Sequence, residues 1–141
     1  MTLEEKQQEI IDEFEMFEDW MDKYNYLIEL SKDLPVMEED KKVPENLIEG
    51  CQSKVWLHAE IDGEKLVFQA DSDAIITKGI IALLVRVLSG RKPSEIKNVN
   101  LYFIDKIGLK ENLSPTRSNG LVSMVNKIKA YALAYDAKMN Q

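Results

Sequence analysis

The sequence predicts an α+β domain in which a small antiparallel sheet, a hairpin plus a third strand, packs with an N-terminal helical hairpin, a buried central helix and a C-terminal helix. Three observations carry this expectation. Val55, Leu57, Ala59 and Ile61 alternate with Trp56, His58 and Glu60, and Leu66, Phe68 and Ala70 alternate again beyond Asp62-Gly63, which is the period and the turn signal of a β-hairpin of type I′. Ala74 to Leu88 is a mostly apolar run of helical length. Helical spacing of apolar residues recurs at both ends of the chain.

The elements follow in order. Thr2 with Glu5 three residues later forms a capping-box signature, and Leu3, Ile10, Phe14 and Phe17 continue a first amphipathic helix to about Glu18. Asp19 can cap a second helix with an apolar stripe of Trp20, Tyr24, Leu27, Ile28 and Leu34, ended by Pro35, and the two helices are expected to pack as a hairpin. From Pro35 to Gly50 the periodicity fades, and Glu38-Glu39-Asp40-Lys41-Lys42 reads as a solvated loop. After the hairpin, Asp71-Ser72-Asp73 stands where capping and the helix dipole favour carboxylates, at the start of the apolar helix, and Gly90 follows its end. Gly79 inside that helix points to close packing. Val99 to Phe103 is the expected third strand, and Ile104 to Leu109 a short helix. Ser114-Pro115 opens the last helix, whose Leu121, Met124, Val125, Ile128, Ala132 and Tyr135 form the face that covers the sheet.

At 141 residues the chain reads as one domain, 1–141, large enough to bury roughly two-thirds of its unfolded surface. The balance of 25 acidic against 18 basic residues, net charge −7, repels a phosphate backbone and argues against nucleic acid. The apolar run is interrupted by Lys78 and Arg86 and is too short to span a bilayer, so no membrane partner is expected. A single cysteine rules out an intrachain disulfide, and the glutamate-rich start lacks the pattern of a signal peptide; both fit a cytoplasmic protein.

That cysteine, Cys51, is the first candidate for chemistry. A lone cysteine most often packs as a small hydrophobe. Here, however, Gly50 permits a turn with positive φ, and Gln52 and Ser53 are polar, so the thiol stands at the mouth of the strand rather than within its apolar alternation. A cysteine hydrolase would need a base, and the only histidine, His58, lies roughly 23 Å along an extended strand, beyond hydrogen-bond reach. One cysteine and one histidine do not make a metal site, and no glycine-rich phosphate loop is present, so neither metal nor cofactor is expected. Arg117 in the first turn of the last helix opposes the macrodipole, so an anion is expected near it: Asp73 or a thiolate at Cys51. Lys54 or Arg117 can also lower the thiol pKa. An exposed arginine or a surface ion pair is the alternative reading.

The residues then carry a resemblance. Trp20 with Lys23-Tyr24, Tyr26-Leu27-Ile28-Glu29-Leu30, Leu34-Pro35, Asn46, Ile48, Gly50-Cys51-Gln52-Ser53, Val55-Trp56, Asp71-Ser72-Asp73, Lys78-Gly79, Ser114-Pro115, Arg117 and Asn119-Gly120-Leu121 appear in an order and spacing that resemble the SufE family of sulfur-acceptor proteins, with its paralogue CsdE. The Gly-Cys-Gln-Ser-x-Val-Trp element is the specific part. The resemblance implies an α+β fold with the cysteine on a loop tip, and a carrier that is not itself an enzyme. In this reading Cys51 takes a persulfide sulfur from a SufS-type cysteine desulfurase, which it stimulates, and passes it to the SufBCD scaffold for iron–sulfur cluster assembly. It further implies that pyridoxal phosphate belongs to the desulfurase and that Gly50, Gln52, Ser53, Asp73 and Arg117 support the Cys51 loop. Two alternatives stay open: an interaction module in which Cys51 packs, and a cysteine hydrolase.

Overall fold

The computed structural model describes residues 1–140. Helix α1 (Leu3–Glu15) opens on the capping box: Thr2 Oγ1 accepts from Glu5 N at 3.1 Å and Glu5 Oε1 accepts from Thr2 N at 3.2 Å. It stops three residues before Glu18, because Met16 N and Phe17 N turn back in i→i+3 bonds to Glu13 and Phe14. That frees the chain to become extended at Asp19, whose side chain caps α2 (Trp20–Lys32) by accepting from Asp22 N at 2.9 Å.

The expected N-terminal helical hairpin is modified. α1 and α2 meet through aromatic side chains beside their connection, Tyr26 lying edge-on to Phe14 at 5.3 Å and against Phe17 at 5.0 Å. The main partner of α2 is instead α3 (Ile75–Leu88), the buried central helix. Gly79 is the reason the two can approach so closely: a Cβ there would stand 2.4 Å from Leu27 O. Arg86, on the face of α3 turned to α1, bonds Glu9 and Glu13, and its guanidinium holds the Glu13 carboxyl below the usual carboxylate range.

Strands β1 (Val55–Asp62) and β2 (Lys65–Ser72) pair antiparallel from Val55–Ser72 to Asp62–Lys65, burying Val55, Leu57, Ala59, Leu66, Phe68 and Ala70. The turn residues are Gly63-Glu64, and only Gly63 has positive φ (+65°), the pattern of a type II′ turn; type I′ needs both central residues there. Outside the pair, Leu66 N donates to Arg91 O, and Ile48 N donates to Val55 O at 2.8 Å, so both sheet edges are partly covered.

The third strand expected at Val99 to Phe103 is absent among the described residues. α4 (Pro93–Ile96) leads into an irregular stretch, and Phe103 begins the short helix α5 (Phe103–Lys106). The backbone groups that a ladder would have satisfied are taken by one side chain: buried Gln7 of α1 donates to Asn100 O and accepts from Phe103 N, each at 3.2 Å. Gln7→Leu strands both groups, so the denaturation midpoint should fall by an amount equivalent to about 1–3 kcal/mol. An unchanged midpoint would show that this bridge contributes nothing to stability.

The last helix, α6 (Pro115–Met139), starts on Ser114, whose Oγ accepts from Arg117 N at 3.3 Å. It lies against the hairpin as expected: Tyr131 OH and Tyr135 OH donate to Leu57 O and Ala59 O of β1 at 3.3 and 3.2 Å. Among the described residues no helix is long and apolar enough to cross a membrane. Among the described residues the architecture is thus six α-helices around a two-stranded sheet, with α3 in the centre and α6 bracing the sheet beside the segment that carries Cys51.

Candidate functional site

Cys51 sits on a short loop between two pins. At its entrance Ile48 N bonds Val55 O; at its exit Lys54 is clamped, its N–H donating to Asp73 Oδ1 at 3.0 Å and its carbonyl accepting from Ser72 Oγ at 2.8 Å and from Asp73 N at 3.2 Å. The triplet Asp71-Ser72-Asp73 therefore does not cap α3 through its carboxylates. Ser72 Oγ accepts from Ala74 N, and Asp71 pairs with Lys42 at 2.7 Å and Lys78 at 3.2 Å. The carboxylates that local pattern assigns to the helix are drawn away by the loop and by two lysines, since a charge-assisted bond outweighs a weak dipole contact.

The tip is shaped by two glycines. Gly50 has φ +90°, and a Cβ on it would stand 2.4 Å from Ser123 Oγ of α6, so this position needs both the left-handed backbone and the missing side chain. Gly120 of α6 lies beneath the thiol: a Cβ there would be 3.4 Å from Cys51 Sγ. Cys51 Sγ–H donates to Gly120 O at 3.6 Å. The side chain is half-buried, and burial pushes the thiol pKa up from its ordinary value. Neither Lys54 nor Arg117 lowers it in this seated position, contrary to the expectation from sequence.

Beside the thiol a cavity of about 330 Å³ opens, lined by Gln52 and Ser53 of the loop, Thr77 and Ile80 of α3, and Arg117 and Met124 of α6 among others. Arg117, Gly120 and Met124 share one face of α6, being three and four residues apart. The structure thus brings Cys51, Gln52, Ser53 and Arg117 to one cavity, with Gly50 shaping the loop and Asp73 holding its exit. Arg117 is exposed and has no ion pair within 4 Å among the described residues, so the anion expected near it is not Asp73. His58 lies outside this cavity, its Nε2 3.1 Å from Glu60 Oε1 on the outer face of β1.

Sequence reasoning named Gly120 only through the resemblance, placed Met124 only on the apolar face of the last helix, and did not single out Ser123 or Thr77. The available signal was Gly120 itself: a glycine inside a helix marks a close approach, here of Cys51. Gly50→Ala imposes a left-handed alanine and a contact with Ser123, which should loosen the loop from its seat on α6. The reaction of Cys51 with an aromatic disulfide reagent should accelerate about tenfold or more. An unchanged rate would mean that Gly50 does not hold the seat.

Comparison with known proteins supplies the family. The family description "SufE: Fe-S metabolism associated domain" matches residues 8–132. A SufE-like protein of Rhizobium etli is 46% identical over 129 residues, covering 88% of this chain and 87% of the relative. SufE-like protein 1, chloroplastic/mitochondrial, of Arabidopsis thaliana is 40% identical over 134 residues, 94% of this chain but 36% of the longer plant protein. In fold, the solution structure of a hypothetical protein from Thermus thermophilus is similar with a TM-score of 0.76 at 22% identity, covering 92% of this chain and 94% of that one. The match over most of the chain makes this chain a member of the SufE family, whose domain is associated with iron–sulfur metabolism.

Proposed function

We propose that the chain is a cytoplasmic sulfur carrier: Cys51 accepts a sulfane sulfur from the persulfide of a SufS-type cysteine desulfurase, the chain stimulates that enzyme, and the sulfur passes to the SufBCD scaffold for iron–sulfur cluster assembly. The observation that carries the reading is the mounting of Cys51, the only cysteine, on a loop that is pinned at both ends but held at its tip by the partial packing of the thiol and one weak Sγ–H bond to Gly120 O. Such a tip can swing out to a visiting active site without disturbing the fold.

The step balances without an added oxidant or reductant. The Cys51 thiolate attacks the terminal sulfur of the partner's persulfide, a new Sγ–S bond forms, the partner's S–S bond breaks, and its cysteine leaves as a thiolate. Pyridoxal phosphate is needed only by the desulfurase, to release sulfur from free cysteine. On the carrier, exposed Arg117, which lines the same cavity, offers a positive charge to an anionic sulfur. With no second cysteine, the loaded sulfur cannot be discharged as an internal disulfide.

The half-burial of Cys51 favours a second reading, an interaction module in which the thiol packs. Incubation of the chain with a cognate desulfurase and free cysteine separates the two. A carrier gains the mass of one sulfur at Cys51, whereas a packing cysteine gains none. A competent cognate desulfurase that leaves the mass unchanged would end the carrier reading.

A further inference from the structure

The hydrogen bond that seats Cys51 has a chemical requirement. Gly120 O lies inside α6, where it accepts its helical N–H and keeps a second lone pair, which receives the proton on Cys51 Sγ at 3.6 Å. A carbonyl can only accept, so the bond exists while Sγ carries hydrogen. We infer that the Gly120 carbonyl makes the seat selective for the unloaded thiol, so that loading Cys51 with sulfur itself drives the loop toward its open position. The inference rests on the carrier reading for its biological meaning, but its structural content stands apart from it.

Loading replaces Sγ–H by Sγ–S. Sγ then has no proton, and its lone pairs face the carbonyl's. The added sulfur, about 2 Å from Sγ, has no space on the line to Gly120 O and must turn away from it. On one side stands Gly120, where even a single carbon would be 3.4 Å from Sγ. The free space beside Sγ is the cavity, bordered also by Thr77 and Ile80 of α3 and by exposed Arg117. Arg117 is the exposed residue of this lining, so rotation toward it takes the sulfur toward solvent. Burial raises the pKa of the seated thiol, in keeping with a seat that prefers the protonated form. The same hydrogen bond re-forms once the sulfur has been handed on, so an emptied carrier retracts.

The test compares three unloaded chains and one loaded analogue at a single pH, by hydrogen exchange of the backbone amides of residues 49–54. Cys51→Ser keeps a donor on Cβ, Cys51→Ala removes it without adding bulk, and methyl methanethiosulfonate converts Cys51 to an S–S–CH3 form. In that reaction the thiolate attacks the reagent's sulfenyl sulfur and methanesulfinate leaves. Expected is wild-type-like protection in Cys51→Ser and about threefold to tenfold faster exchange in Cys51→Ala and in the S–S–CH3 form, the range of one weak hydrogen bond. Equal protection in Cys51→Ala and Cys51→Ser, or an S–S–CH3 form as protected as the free thiol, would overturn the inference. Failure of sulfur transfer in the mass experiment would overturn the carrier reading instead and leave these exchange rates untouched.

Discussion

Cys51→Ser is expected to abolish sulfur acceptance and stimulation of the desulfurase while leaving the domain as stable as before. The hydroxyl is far too weakly acidic to form the anion that attacks a persulfide, so the effect is a loss to background rather than a graded decrease. The fold has little at stake, because Cys51 lies on a loop, is only half-buried, and gives the body one weak bond that a serine can also donate. Its denaturation midpoint should match the wild type within about 0.5 kcal/mol, as for surface changes generally. Two measurements check this together: intact mass after incubation with a desulfurase and free cysteine, and a denaturant titration. Residual sulfur on the serine variant, or stimulation equal to wild type, would place the chemistry elsewhere. Unfolding of the variant would instead show that the thiol is a core residue.

Gly79→Ala should produce a large loss of stability for the addition of a single methyl group. The new Cβ would stand 2.4 Å from Leu27 O, 2.9 Å from Leu27 C and 3.1 Å from Leu27 Cβ. Two of these are backbone atoms of α2, so no side-chain rotation relieves the contact and the helices must separate. Alanine's better helix propensity returns about 1 kcal/mol, against overpacking of roughly 3 kcal/mol or more where backbone is struck. A net loss of about 2 kcal/mol or more is the expectation, read as a lower denaturation midpoint. The consequence reaches the cysteine, since Thr77 and Ile80 on the same helix line its cavity. Faster thiol modification should therefore accompany the loss of stability. A midpoint at or above that of the wild type would show that the α2–α3 approach is looser than these distances require.

Several elements were legible because their signals are local. Thr2 and Glu5 close a capping box within one turn, Ser114-Pro115 opens the long helix, and the alternation from Val55 to Ala70 fixes which side chains enter the core. Gly79 inside an apolar helix announced a close neighbour without naming it. The candidate cysteine could be singled out for a similar reason, as a thiol between a glycine and polar residues at the mouth of a strand. The errors arose where a local signal competed with a distant partner. The apolar residues of Val99 to Phe103 suit a strand, yet Gln7, more than ninety residues away, satisfies their backbone. Asp71-Ser72-Asp73 has the composition of a cap, yet Lys42, Lys78 and the backbone of Lys54 claim it.

The amino-acid sequence by itself determined the helices, the hairpin and the candidate cysteine, because each depends on side chains within a few positions of one another and on the period they create. Only the tertiary structure decided what that cysteine rests on. Gly120 is 69 positions from Cys51, and it presents no side chain at all; its contribution is a backbone carbonyl and an absence of bulk. Every residue except proline offers the same backbone groups, so no pattern of residue types reveals which carbonyl will meet the thiol until the last helix has been packed against the loop.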